Sequence, residues 1–324
     1  MTAQPALPAT TFLDPAMLAR IGNLELLART VVEGFLNGLH RSPHLGTSTD
    51  FSKHRPYMPG DDIRRIDWRL FARSDRFYMK EFEAETNTNF VILLDVSPSM
   101  RYRGETSEES KGISKLEYGC YLAAALAYFS SGQRDRVGLA TFDDDVVDYV
   151  PPSAKHLRLV LHALERTGAS KAEGGRQKAE GGAGRRASTL LPPLKKLSES
   201  LRRRSIVLLI SDLYEEPEAV IDALTHIRGR GNDVIVFHLL DRYELQFPFM
   251  DSSSFIDIET GERMPVIPEY LRKQYKELIA AHCATLARRT RENRIDYALF
   301  DTSKPLDQAL FTYLLARERF NRVR

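Results

Sequence analysis

The sequence predicts an α/β fold: a doubly wound, mostly parallel sheet preceded by an N-terminal helix and a small Arg-rich extension. Two observations carry this expectation. From Asn89 onward, short apolar segments alternate with helical segments of ten or more residues, the pattern of crossover units that build a parallel sheet with helices on both faces. The runs Phe90 to Leu94 and Ile206 to Ile210 contain no polar residue, as expected of strands buried on both faces.

Taken in order, Met17, Leu18, Ile21, Leu24, Leu26, Leu27, Val31, Val32, Phe35, Leu36 and Leu39 recur at near-helical intervals after Pro15, with Asp14 as the N-cap. Asp50 to Lys80 mixes arginines and aromatics without a sustained period and reads as short strands and loops. Leu116 to Ser130 is a helix apolar almost all round, Arg136 to Phe142 and Val146 to Val150 are strands joined by the acidic turn Asp143-Asp144-Asp145, and His156 to Arg166 is a helix. Residues 168–188 repeat Lys-Ala-Glu-Gly-Gly and contain almost nothing apolar, so they read as a flexible loop. Helix Leu190 to Arg202, strand Ser205 to Ile210, helix Pro217 to Arg228 and strand Asp233 to Leu240 follow. The chain then gives a hairpin at Phe255 to Val266, within an insertion of about 250–267, a long helix from Pro268, strand Ile295 to Leu299 and a last helix from Pro305. The domain reading is an N-terminal helix and extension over 1–88, packed on a main α/β domain over 89–324.

With 324 residues, 43% hydrophobic and 28% charged, the chain has an ordinary globular composition. The 46 basic against 44 acidic residues leave a net charge of +2, which argues against a general polyanion or membrane-surface binder. Charge is separated locally: residues 166–204 hold eleven Lys or Arg against three Glu, and 55–80 hold seven basic residues against four Asp. No nucleic-acid-binding module accompanies either cluster, so no nucleic-acid partner is expected. Cys120 and Cys283 make no disulfide framework and no Cys-x-x-Cys zinc pair. Met1 to Asp14 lacks the charged and apolar regions of a signal peptide, and the most apolar stretch, Tyr118 to Phe129, is short of the roughly 20 residues that span a bilayer. These features predict a cytoplasmic protein with no membrane span.

The chemistry concentrates at Asp95-Val96-Ser97-Pro98-Ser99, where a buried strand opens into a loop. Oxygen-bearing side chains on alternate residues can converge on one point, as a hard cation such as Mg²⁺ requires. The same residues can instead cap the following turn. Asp212 ends the second apolar strand in the same position, and ligands of doubly wound sheets sit beyond the carboxyl ends of strands where strand order reverses. Thr189 starts the helix after the low-complexity loop, and Thr141 competes with it for a place at the site. The acidic residues Asp143, Asp144, Asp145 and Asp148 read as a solvated hairpin turn.

From Phe90 onward the chain resembles the von Willebrand factor A-like fold, whose metal-ion-dependent adhesion site (MIDAS) is Asp-x-Ser-x-Ser followed by a distant Thr and a distant Asp. The resemblance implies that Ser97, Ser99 and Thr189 contact Mg²⁺ directly while Asp95 and Asp212 act through water, with Mn²⁺ or Ca²⁺ as alternative ions. It also implies an open position that accepts a carboxylate from a partner protein. Upstream, Arg55-Pro-Tyr57-Met-Pro59-Gly60-Asp61-Asp62-Ile-Arg64-Arg-Ile-Asp67-Trp68, with Ala72-Arg73, is similar to the signature of the bacterial "domain of unknown function 58" family. That resemblance implies a MoxR-type AAA+ ATPase partner in an assembly or maturation system. By themselves these residues read as an ion-pair clasp or as a docking face.

Enzyme readings fit less well. A phosphatase of the haloacid dehalogenase type would use Asp95 as nucleophile but wants a second Asp where Ser97 stands. No Gly-x-Ser-x-Gly elbow, His-Glu-x-x-His pair or Walker lysine loop occurs. The expected function is therefore a metal-dependent, non-enzymatic protein-interaction module. A metal-dependent hydrolase using Asp95 and a scaffold with a vestigial site are the alternatives.

Overall fold

The computed structural model describes residues 23–40, 54–56, 77–80, 88–104, 113–169, 190–201, 203–251, 253–258, 261–306 and 309–313. The chain divides into two compact units, Met1–Leu36 with Thr88–Arg324, and Asn37–Asn87. Besides residues 37–40 of the first helix and Phe77, the described part of the smaller unit is one antiparallel strand pair, β1 (His54–Pro56) and β2 (Tyr78–Lys80), with Arg55 opposite Met79. The rest of the Arg-rich signature, from Tyr57 to Arg73, lies outside the described residues, as does the low-complexity segment beyond Ala169.

Helix α1 (Leu24–His40), whose residues up to Leu36 belong to the larger unit, buries Leu24, Leu27, Val31, Val32 and Phe35 of the predicted stripe together with Ala28, while Leu26 is exposed. A six-stranded sheet follows, built from β3 (Asn89–Asp95), β4 (Arg136–Phe142), β5 (Val146–Ser153), β6 (Ser205–Ser211), β7 (Asp233–Leu240) and, after the hairpin β8 (Ser253–Ile256) and β9 (Arg263–Val266), β10 (Asp296–Asp301). Its spatial order is β10-β7-β6-β3-β4-β5, and every pair is parallel except β4 with β5. Numbered along the chain this is the doubly wound order 3-2-1-4-5-6 read from the other edge, with the third strand reversed. β5 includes Pro151 and Pro152, which an edge strand tolerates because one side of it needs no ladder donors.

The pleat sends alternate residues of each central strand to opposite faces. Val91, Leu93, Val207, Leu209, Val234 and Val236 share one core with α4 (Leu191–Ser200), α5 (Pro217–Gly229) and Leu286 of α7 (Pro268–Glu292). On the other face lies α2 (Lys115–Gly132), which also packs on α3 (Leu157–Ala169). This double contact explains why α2 is apolar almost all round. Cys120 lies inside it as a small buried hydrophobe, its thiol pushed up to about 12 by burial. Residues 309–313 are helical, and Tyr313 packs against Phe90 and Phe129 while its hydroxyl hydrogen-bonds Ser130 at 2.9 Å.

Gly119 is where α2 comes closest to the sheet. A Cβ there would stand 3.0 Å from Leu94 Cδ1 and 3.5 Å from both Ile210 and Leu239. Replacing Gly119 by Val would push α2 off β3 and β6, and overpacking of this kind costs about 1–3 kcal/mol. Urea unfolding of G119V, followed by circular dichroism, should show a loss of that size.

Candidate functional site

The site starts with β3. Seven buried residues, Asn89 to Asp95, carry the strand between β4 and β6, and Asp95 is its last residue. Beyond it the Val96 N–H donates to the Phe142 carbonyl at 2.8 Å, and Pro98–Arg101 forms a 3₁₀ turn. The Asp95 carboxylate is held from two directions: Oδ1 accepts from the Ser97 N–H at 2.9 Å and Oδ2 from Ser211 Oγ at 2.6 Å. Ser211 ends β6, so this second bond ties together the two strands at which the strand order reverses. Ser97 Oγ and Ser99 Oγ are 3.0 Å apart. The alternate-residue spacing of Asp95, Ser97 and Ser99 therefore does bring these groups into one hydrogen-bonded cluster.

Asp212 follows β6 directly and is buried. The next residue, Leu213, is also buried and has a left-handed backbone with φ 48°, a strained conformation for a residue with a branched side chain. Two bonds hold it: its N–H donates to Ser211 Oγ at 3.1 Å, and His282 Nε2 of α7 donates to its carbonyl at 2.8 Å. The chain re-enters the described structure at Leu190, whose N–H donates to Glu215 in the same loop. Thr189 lies outside the described residues. Thr141 is in the body of β4, where its hydroxyl accepts from the Asp148 N–H at 3.2 Å.

Two residues of the site escaped the sequence reading. Lys115, the first residue of α2, is fully buried, and its ammonium donates to Asp212 Oδ2 at 2.8 Å and to Glu244 Oε1 at 2.7 Å. Its charge also lies 4.7 Å over the Tyr214 ring and 5.8 Å from the centre of the Tyr102 ring. Glu244 belongs to the short helix α6 (Arg242–Gln246), where it completes a capping box with Asp241. The sequence does hold signals for both. A lysine in the first turn opposes the helix dipole and calls for compensation, and Asp241-x-x-Glu244 has capping-box spacing.

Three carboxyl groups, Asp95, Asp212 and Glu244, thus share a buried region with one ammonium, for a formal charge of −2 when all are ionised. The consequence falls on Asp95. Burial first, and then the neighbouring Asp212, push its carboxyl up to about 7, against the hydrogen bonds from Ser211 and Ser97. Burial pulls Lys115 down, but Asp212 and Glu244 outweigh it and hold the ammonium above the ordinary lysine range. Glu244 is raised by burial, with Lys115 opposing the shift. The charge deficit and the Ser97–Ser99 hydroxyl pair fit a hard divalent cation. Ser97 and Ser99 could contact it directly, and Asp95 and Asp212 through water, with Asp212 shared with Lys115. The site relies on hydroxyls: among the described residues no group of three His, Cys, Asp or Glu is arranged to hold a metal. The acidic turn is engaged elsewhere at the surface, Asp145 with Lys196 at 2.9 Å and Asp148 with Arg166 at 2.8 Å.

A pH dependence follows. With Asp95 raised from its ordinary 3.8 to about 7, the folded chain holds a proton between those values that the unfolded chain has lost. Without a divalent ion, stability should therefore fall as pH rises through that window, by up to about 1.4 kcal/mol per unit. Asn at position 95 has no proton to lose. In EDTA, urea unfolding from pH 5 to pH 8 should show the wild type losing roughly 2–3 kcal/mol relative to D95N. His238, held neutral by burial down to about 3, gives the opposite slope below the ordinary histidine range and cancels in this comparison. Parallel pH profiles for the two proteins would refute the assignment.

Two uncharacterized proteins, from Mycobacterium tuberculosis and Mycobacterium bovis, are each 28% identical to this chain over 279 residues, covering 86% of it and 82% of the relative. Among solved structures, the conserved hypothetical protein BatB from Bacteroides thetaiotaomicron aligns with a TM-score of 0.45 at 15% identity, over 71% of this chain and 99% of that one. Among the described residues no helix is long and apolar enough to cross a membrane. A family model described as "Protein of unknown function DUF58" matches residues 53–285, and the chain belongs to that family.

Proposed function

We propose that this protein is a metal-dependent protein-interaction module whose site lies at the carboxyl ends of β3 and β6. The observation that carries the reading is the buried Asp95 carboxyl, beside the Ser97–Ser99 hydroxyl pair and Asp212, in a region whose ionised form is short of positive charge. A bound Mg²⁺ would supply that charge and an electrophilic position for a carboxylate, with Mn²⁺ or Ca²⁺ as alternative ions. In this reading Ser97, Ser99 and Thr189 contact the ion directly, and Asp95 and Asp212 hold it through water. The doubly wound strand order with an antiparallel third strand supports a von Willebrand factor A-like adhesion site. The partner would present an acidic side chain, so that binding is reversible by chelation. Membership of the DUF58 family extends the proposal to a MoxR-type AAA+ ATPase as that partner, in the cytoplasm.

A second reading has its own observation. Lys115 already neutralises Asp212, which is what a scaffold with a vestigial site would retain. Isothermal titration separates the two. Wild type should take up Mg²⁺ with heat that D95A lacks, and a pull-down should lose its acidic partner in EDTA. Equal heats, or none, from both proteins would leave the scaffold.

A further inference from the structure

Lys115 is an unusual residue to find at the first position of a helix. Its ammonium meets the positive end of the dipole of α2, and it is fully buried, where an unpaired charge is prohibitively costly. What holds it is a cage: Asp212 and Glu244 at 2.8 and 2.7 Å, with the Tyr214 and Tyr102 rings alongside. Tyr214 is itself 45% exposed while the ammonium beneath its face is not exposed at all, so this ring separates the charge from solvent.

The cage is also locked from outside. The Ser114 side chain accepts from the Glu117 N–H at 3.2 Å, and Glu117 in turn accepts from the Ser114 N–H at 2.8 Å and from Arg103 at 2.7 Å. The Lys115 N–H donates to the Tyr102 carbonyl at 3.2 Å. Gly104 lets this loop close on α6: a Cβ there would stand 2.4 Å from the Tyr243 ring and 2.5 Å from Asp241 Oδ1. The ammonium is therefore fixed in place and not a surface charge that has drifted inward.

We infer that Lys115 is the resident cation of the site: it neutralises Asp212 from within and competes with a divalent ion for that carboxylate. This rests on the proposed metal-binding reading and adds to it a residue that sets affinity. Two consequences follow from charge alone. With Lys115 present, one divalent ion brings the buried group of Asp95, Asp212, Glu244 and Lys115 from −2 to neutrality, so an incoming carboxylate meets no net negative charge. Without it the same group remains at −1 after loading. Removing Lys115 should therefore tighten the ion, because Asp212 is freed.

The test is calorimetric titration of Mg²⁺ into wild type, K115M and the charge-conserving K115M/E244Q at pH 8, with Mg²⁺-dependent shifts in melting temperature as a second readout. K115M is expected to bind Mg²⁺ at least tenfold more tightly than wild type and to gain more in melting temperature. If K115M fails to fold, K115M/E244Q replaces it: the uncompensated glutamate is gone, Asp212 is still freed, and tighter binding is still expected. Ion uptake by the variant with none by wild type also supports the inference, as a lysine that fully outcompetes the ion. Equal or weaker binding by a folded variant, with wild type binding normally, overturns the role of Lys115 and leaves the metal reading standing. No binding by any of the three overturns both.

Discussion

The strand order determines which groups meet at the carboxyl ends of β3 and β6. The connections place α2 on one face of the sheet and α4 with α5 on the other, as the chain winds outward from β3 in one direction and from β6 in the other. Between these adjacent strands the connections diverge, the place at which doubly wound sheets hold their ligands. Asp95 and Asp212 stand, buried, at that end of the two strands. The bond from Ser211 to Asp95 then fixes the separation of the two strand ends, and the strained turn at Leu213, held by Ser211 and His282, sets the course of the chain beyond Asp212.

The same strand ends carry an electrostatic cost. Carboxyl groups taken out of water must be paired, protonated or metal-bound. This protein uses the first solution at Asp212 and Glu244, through Lys115, and shifts Asp95 toward the second. That division gives the site its character. A fully paired cluster would be inert, whereas a fully unpaired one would bind a cation so tightly that exchange would be slow. Here one carboxyl stands where its ionisation is opposed by burial and by Asp212, while its neighbours are paired with Lys115.

Much of the fold was legible because its signals are local or periodic. Phe90 to Leu94 and Ile206 to Ile210 announce strands covered on both faces, and the Asp-x-Ser-x-Ser spacing alone places Asp95, Ser97 and Ser99 within reach of one another. The capping boxes at Ser114-Glu117 and Asp241-Glu244 are equally local. The partnership of Lys115 was not legible. Its partners lie 97 and 129 residues away along the chain, and neither helix period nor strand alternation relates positions so far apart. The antiparallel direction of β5 was in contrast implied by the short acidic turn before it, since a parallel return needs a crossover of a dozen or more residues.

By itself, then, the sequence determined the alternation of elements, their buried faces and the donors that start the site, because these depend on neighbours within one turn or one strand. Only the tertiary structure decided that Ser211 would clasp Asp95 across the strand reversal, that a lysine at a helix start would be drawn inside, and that Asp212 would share its charge with that lysine. The physical reason is range. Hydrophobic periodicity and capping are recorded in adjacent residues, whereas the pairing of a buried charge is settled by whichever groups the folded chain brings within about 3 Å of it.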